Sequence, residues 1–331
     1  MRLFENLFSK NKDIEIQSIT YGLNLFIPTF VLIISSLFEN YELTAELGIL
    51  IGINIIFTQI FSSNARSLVI SQKTDIPLQS FVIFRISISF IILILNFIII
   101  NYYNFIYINL LFQLSLLIIL QWLNELILTY FEIHKKNKEI YFYLFLKLIF
   151  LSLIIINFIF VQKLFFTFII FNFIFFLFFL KFFLKIYKKT HHKINVLKLM
   201  RNSLSSLSFF SSFSISFANL LWRIFIIIFC GKIIAGIYFA GFAIGSLPGT
   251  FFNNTFGPSI IRKNYDFKKI KKLFSFIFSI TMFCLFFYIA RIYENIFVEN
   301  FDTQLICTFF SLVGSIFMIK GLYFRQYLIQ R

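Results

Sequence analysis

Apolar residues run along this chain in blocks of roughly twenty, broken by short polar or charged stretches. A helix rises about 1.5 Å per residue, so each block is long enough to cross a hydrocarbon layer about 30 Å thick. The pattern predicts ten spans, at 17–37, 44–64, 81–101, 106–130, 140–160, 164–184, 204–229, 234–256, 273–291 and 303–323. A transmembrane β-barrel would show segments of about ten residues with alternating polarity, and these blocks are apolar throughout. The expected fold is therefore all-α: a polytopic membrane protein of about ten transmembrane helices in two lobes, six plus four. The six-helix lobe is placed at 1–184, a basic cytoplasmic linker at 185–203 and a truncated four-helix lobe at 204–331.

Composition sharpens the class. The chain is 60% hydrophobic with a mean hydropathy of +0.89, and 13% of its residues are charged, where a soluble domain carries about 25%. The 54 Phe, with abundant Ile, Asn and Lys, are read as the imprint of an A/T-rich genome and carry no functional weight. The first residues, MRLFENLFSKNKDIEIQ, lack the apolar core and small-residue cleavage site of a signal peptide, so the N-terminus is expected to be retained.

The net charge of +16 would fit a nucleic-acid binder, but its placement points elsewhere. With the N-terminus in the cytoplasm, the basic residues gather in the segments on that side: Arg66 and Lys73, then Lys135, Lys136 and Lys138, then the run KIYKKTHHKINVLKLMR at 185–201, then Arg262 to Lys272. The other side holds only Lys163, Lys232 and Arg291, while Glu39, Glu42, Glu294, Glu299 and Asp302 fall there. This is the positive-inside asymmetry. It predicts a cytoplasmic (inner) membrane location with both termini cytoplasmic, and accounts for the charge without nucleic acid.

Charged side chains inside the spans carry the candidate chemistry, because they are costly to bury and usually pair or line a cavity. Arg85, Glu125 and Lys147 fall at similar depth in spans three, four and five. They read either as an anion-attracting cavity wall, with Glu125 an ion- or proton-coupling site, or as a structural ion pair beside a snorkelling lysine. Arg223, in LLWRIFIIIF, either faces a cavity or snorkels to the interface beside Trp222. Arg66 falls at the inner end of span two, or within a continuation of it. The serine run at 203–216 lines water or packs tightly. Cys230, Cys284 and Cys307 are read as small buried hydrophobes, and the adjacent His191 and His192 have no third ligand nearby, so no metal or cofactor is expected. No GxSxG, Walker A or HExxH motif occurs, so the chain is not read as an enzyme.

Backbone shape is most closely specified at 231–262. Gly241, Gly245 and Gly249 recur every fourth residue and stack on one helix face, with Pro248 in the same run, marking a close-packing surface. Residues 47–53, LGILIGI, echo residues 240–246, AGFAIGS: Gly48 matches Gly241 and Gly52 matches Gly245, as duplicated halves would give.

The runs Gly236-Ile237-Tyr238-Phe239-Ala240, Gly245-Ser246-Leu247-Pro248 and Gly257-Pro258-Ser259-Ile260-Ile261-Arg262 resemble the eighth-span region of polysaccharide flippases, the O-antigen and teichoic-acid transporters of the multidrug/oligosaccharidyl-lipid/polysaccharide exporter superfamily. LLWRIFIIIFCGKIIAGIY is similar to that family's seventh span and following turn, and SSNARSLVI with FRISISF resembles its second and third spans. The resemblance implies a bundle of six plus six helices that moves a polyprenyl-diphosphate-linked oligosaccharide across the membrane by alternating access, in surface polysaccharide assembly. It implies substrate-facing roles for Arg85, Arg223, Arg66 and Lys147, and a polysaccharide polymerase and glycosyltransferases as partners. The family's dozen or more spans exceed the ten expected here, so the C-terminal lobe is expected to be short by two to four helices. The alternatives are a multidrug or cation-coupled exporter of the same fold, whose cavity would be acidic, and a non-transporting membrane scaffold subunit.

Overall fold

A computed structural model describes residues 12–61, 65–70, 77–103, 105–159, 164–188, 207–255 and 307–319. The predicted span at 273–291, most of the basic linker and the Gly257–Arg262 motif lie outside them. All of the regular structure among the described residues is helical. The helices are α1 (Lys12–Leu37), α2 (Tyr41–Ile60), α3 (Ala65–Ile70), α4 (Leu78–Tyr102), α5 (Ile108–Ile133), α6 (Asn137–Ile159), α7 (Leu164–Lys188), α8 (Leu207–Thr255) and α9 (Cys307–Ile319). Among the described residues, six helical stretches are long and apolar enough to cross a membrane, giving a multi-pass architecture.

The longest of these stretches, Phe213–Thr250, is two helices back to back. Gly231 adopts φ 80°, ψ 170°, a backbone region almost closed to residues with a Cβ. The chain folds back there: the Trp222 ring lies 5.4 Å from Phe239 and 5.1 Å from Phe242. This hairpin agrees with the break expected between residues 229 and 234.

Two turns without glycine are closed by the same device. At the end of α1, Glu39 is left-handed (φ 59°), and the N–H groups of Glu39 and Asn40 bond back to Ser36 and Ser35. At the end of α5, Lys135 (φ 52°) and Lys136 bond back to Glu132 and Phe131 in the same way. These bonds satisfy the last carbonyls of each helix. Asn40 then caps α2 by accepting from Leu43 N–H at 3.2 Å.

Burial separates central from peripheral helices. In the apolar windows of α2 and α5, 78% and 67% of residues are buried, against 28% in α6. α5 packs against every other helix from α1 to α7, and α2 packs along the α8 hairpin. On α4, α6 and α7 the outward faces are large and apolar, as at Phe90, Phe97, Phe145, Phe166 and Phe173, which suits hydrocarbon rather than water. One end of the bundle carries the α1–α2 turn, the α4–α5 turn and Gly231, tied by Asn40 to the Tyr107 hydroxyl (3.1 Å) and by Phe38 stacked on Phe158. The other end carries α3 and the α5–α6 turn.

Candidate functional site: buried cations in the helical bundle

Arg66 does not lie in a continuation of α2, which ends at Ile60 with Phe61 as its cap. It sits on the separate short helix α3. There the guanidinium is 3.3 Å from Glu132 and stacks over the Tyr21 ring at 3.3 Å. Tyr21 is itself held by its hydroxyl to Thr129 at 3.2 Å. Both charges of the pair are almost wholly buried.

Arg85 and Glu125 are brought together, N to O at 2.9 Å. The guanidinium also donates to the Trp122 carbonyl and lies 4.8 Å from the Trp122 ring. Glu125 is the less buried partner.

Lys147 does not join that pair. Its ammonium lies 3.9 Å from the centre of the Phe175 ring and 5.2 Å from that of Tyr143, with no ion-pair partner among the described residues. The group that reaches it is traceable to Pro28. A proline inside a helix removes the N–H that would bond the carbonyl four residues back, here Asn24. With its amide oriented so that both ends are bonded, Gln121 donates to that Asn24 carbonyl at 2.8 Å and accepts from Lys147 Nζ at 3.2 Å. Asn24 returns a bond to the Gln121 carbonyl (2.8 Å) and accepts from the Tyr143 hydroxyl (2.6 Å). A polar network thus closes around a buried amine in the middle of α1, α5, α6 and α7.

Arg223, on the first arm of α8, is also buried. Its guanidinium donates to the Gly48 carbonyl and faces the Trp222 and Phe239 rings at 5.8 and 5.5 Å. Among the described residues it has no carboxylate, and its Nε has no acceptor. Glycines make the seat. A Cβ on Gly52 would press on Leu220 (3.1 Å) and the Arg223 stem (3.4 Å), and one on Gly48 would run into the Phe239 ring. The Gly48–Gly52 face therefore admits both arms of α8 to α2.

The second glycine face meets a different helix. Gly245 and Gly249 lie against α9: a Cβ on Gly245 would run into the Thr308 carbonyl, and one on Gly249 would come within 3.1 Å of Ser315 Oγ. Ser311 and Ser315 reach across to the carbonyls of Phe242 (2.9 Å) and Gly245 (2.8 Å). The order of these contacts makes α9 run parallel to the second arm. Gly241 and Pro248 are buried in the same arm.

Two carboxylates that sequence reasoning passed over prove central. Glu132 is the partner of Arg66. Glu46, 1% exposed in its side chain, accepts from the N–H groups of Ile106 (3.0 Å) and Tyr107 (3.4 Å) before α5, and is 3.0 Å from Lys232 Nζ. Its only signal was an acidic residue one turn into a span, opposite a lone lysine in a short turn. A cavity of about 620 Å³ opens at the Gly231 end, lined by Phe38, Asn40, Tyr107, Asn109, Phe158 and Phe165 among others. None of the predicted site residues lines it. Among the described residues, no three His, Cys, Asp or Glu gather as metal ligands. Comparison of the chain with protein-family models, curated proteins and solved structures returned no match.

Proposed function

We propose that this chain is a flippase that carries a polyprenyl-diphosphate-linked oligosaccharide across the cytoplasmic membrane for surface polysaccharide assembly. In this reading it has about ten spans in two lobes, 1–184 and 204–331, with both termini cytoplasmic. It works beside glycosyltransferases and a polysaccharide polymerase. The resemblance of the 219–262 region and the positive-inside charge pattern support it.

The observation that carries the reading is Arg223. A buried guanidinium without a carboxylate partner among the described residues sits where α2 meets the α8 hairpin, the proposed boundary between lobes. Among the described residues, only a backbone carbonyl and two ring faces compensate it, so an incoming anion would find a preorganised, underneutralised donor. Lys147 is a second such cation within the first lobe. Arg66 and Arg85 are already neutralised, and in this reading they shape the lobe rather than take the diphosphate first. Glu125, the more accessible of the paired carboxylates, is the coupling residue. The lobes rock against each other and the lipid tail stays in the bilayer.

The test is reconstitution. Purified protein in vesicles receives a fluorescent polyprenyl-diphosphate oligosaccharide, and its movement between leaflets is read by accessibility to a membrane-impermeant quencher. Replacing Arg223 by Ala is expected to slow movement about tenfold or more, the loss of one charge-assisted contact. Unchanged movement in that variant overturns the assignment of Arg223. Failure of the unaltered protein to move the lipid, with efflux of cationic dyes instead, overturns the function.

A further inference from the structure

The contacts between α2 and the α8 hairpin form an ordered seam, one just past Gly231 and two on the first arm. From the Gly231 end inward they are Glu46 with Lys232 (3.0 Å), Gly48 with Arg223, and Gln59 with Ser216 (2.6 Å). Among the described residues, Glu46–Lys232 is the one ion pair that crosses from the first seven helices to the hairpin.

Its two halves differ from those of the other ion pairs in how they fare when separated. Arg66 and Glu132 are 5% and 2% exposed in their side chains, so neither charge reaches solvent when they part. Lys232 is 36% exposed, so it returns to solvent readily. Glu46 stays buried but keeps the Ile106 and Tyr107 N–H groups, which point at it from the start of α5. That is the environment in which a carboxylate is stable alone. The pair can therefore open without leaving either charge unsatisfied. Lys232 also follows Gly231, whose backbone breaks the helix and whose would-be Cβ meets nothing within 4 Å. The turn has both a swivel and room.

We infer that Glu46–Lys232 is a releasable latch holding the hairpin turn to the first lobe at the Gly231 end. Its opening frees the Gly231 turn from Glu46 and the start of α5, while the close approach of Gly236 to the Tyr41 backbone and the Gln59–Ser216 contact stay. The latch rests on the two-lobe reading and not on the cargo.

The experiment reads distance rather than transport, so the latch and the flippase reading fail separately. Cys230, expected from the sequence to be buried, is exposed on the turn and serves as one labelling site. In the full chain with Cys284→Ser and Cys307→Ser, a second site is Asn109→Cys, exposed at the start of α5. Spin labels at both report the separation in lipid nanodiscs by double electron–electron resonance. Lys232→Met keeps the apolar stem and removes the charge; it is expected to raise the ratio of long to short distances roughly fivefold or more. Lys232→Arg is expected to stay near the starting protein. Glu46→Gln, which retains an acceptor for the α5 N–H groups, is expected to match Lys232→Met. An unchanged distribution in Lys232→Met overturns the latch. So does opening in Glu46→Gln alone, which would assign the contact to the start of α5.

Discussion

Each buried cation among the described residues is met by a different set of partners. Arg66 has a carboxylate and a ring face, Arg85 a carboxylate and a carbonyl, Lys147 an amide oxygen and two rings, Arg223 a carbonyl and two rings. The difference is testable at the Arg66 pair. Arg66→Ala takes the ion-pair partner from a buried Glu132, and is expected to lower stability by about 3–5 kcal/mol. Replacing both partners at once, Arg66→Met with Glu132→Leu, removes the charge and keeps the volume, and is expected to be milder. Equilibrium unfolding in detergent checks the ordering. A double variant less stable than Arg66→Ala would mean the pair itself stabilises the fold, rather than each partner merely neutralising the other.

At the scale of the element, glycine spacing decides which helices approach. Gly48 and Gly52 seat the α8 hairpin on α2; Gly245 and Gly249 seat α9 on the second arm. Gly245→Leu would drive a side chain into the Thr308 backbone, where nothing flexible can give way. It is expected to detach α9 and lower the thermal stability of the detergent-solubilised protein, whereas Ile233→Leu, exposed on the turn, should leave it unchanged. Equal melting of the two variants would show that α9 is held elsewhere. The long apolar helices among the described residues and the break at Gly231 were legible in the sequence, because apolar length and a glycine beside a lone lysine are local signals; α3 as a separate helix was not. The partners of the charges were not. Glu132 falls in the last turn of α5, where an acidic residue reads as interfacial, and nothing local shows that α3 turns back over it. Phe175, under Lys147, is one of 54 phenylalanines. The role of Gln121 depends on a carbonyl freed by Pro28 in another helix, a relation that exists only once the helices have packed.

For the whole molecule, the ends of the bundle carry the functional direction. The turns at Glu39, Tyr107 and Gly231 share one end, joined by Asn40–Tyr107 and Glu46–Lys232. Gln79 donates to the Ile186 carbonyl (3.1 Å) at the other, near the basic end of α7 and on the same side as Lys135, Lys136 and Lys138. In the proposed orientation, drawn from the positive-inside rule, the Gly231 end faces outward and the Lys136 end the cytoplasm. The proposed flippase, loading its diphosphate lipid from the cytoplasm, would need this orientation: the basic end would attract the anionic headgroup and the proposed latch at Glu46 would stand at the outer end. In spheroplasts of cells making the chain with Cys284→Ser and Cys307→Ser, Cys230 is expected to react with a membrane-impermeant maleimide added outside. In the same background with Cys230→Ser, a cysteine placed by Lys136→Cys is expected to react only after permeabilisation. The reverse pattern would put the basic end outside, and would overturn both the inner-to-outer direction of transport and the assignment of the latch to the outer end.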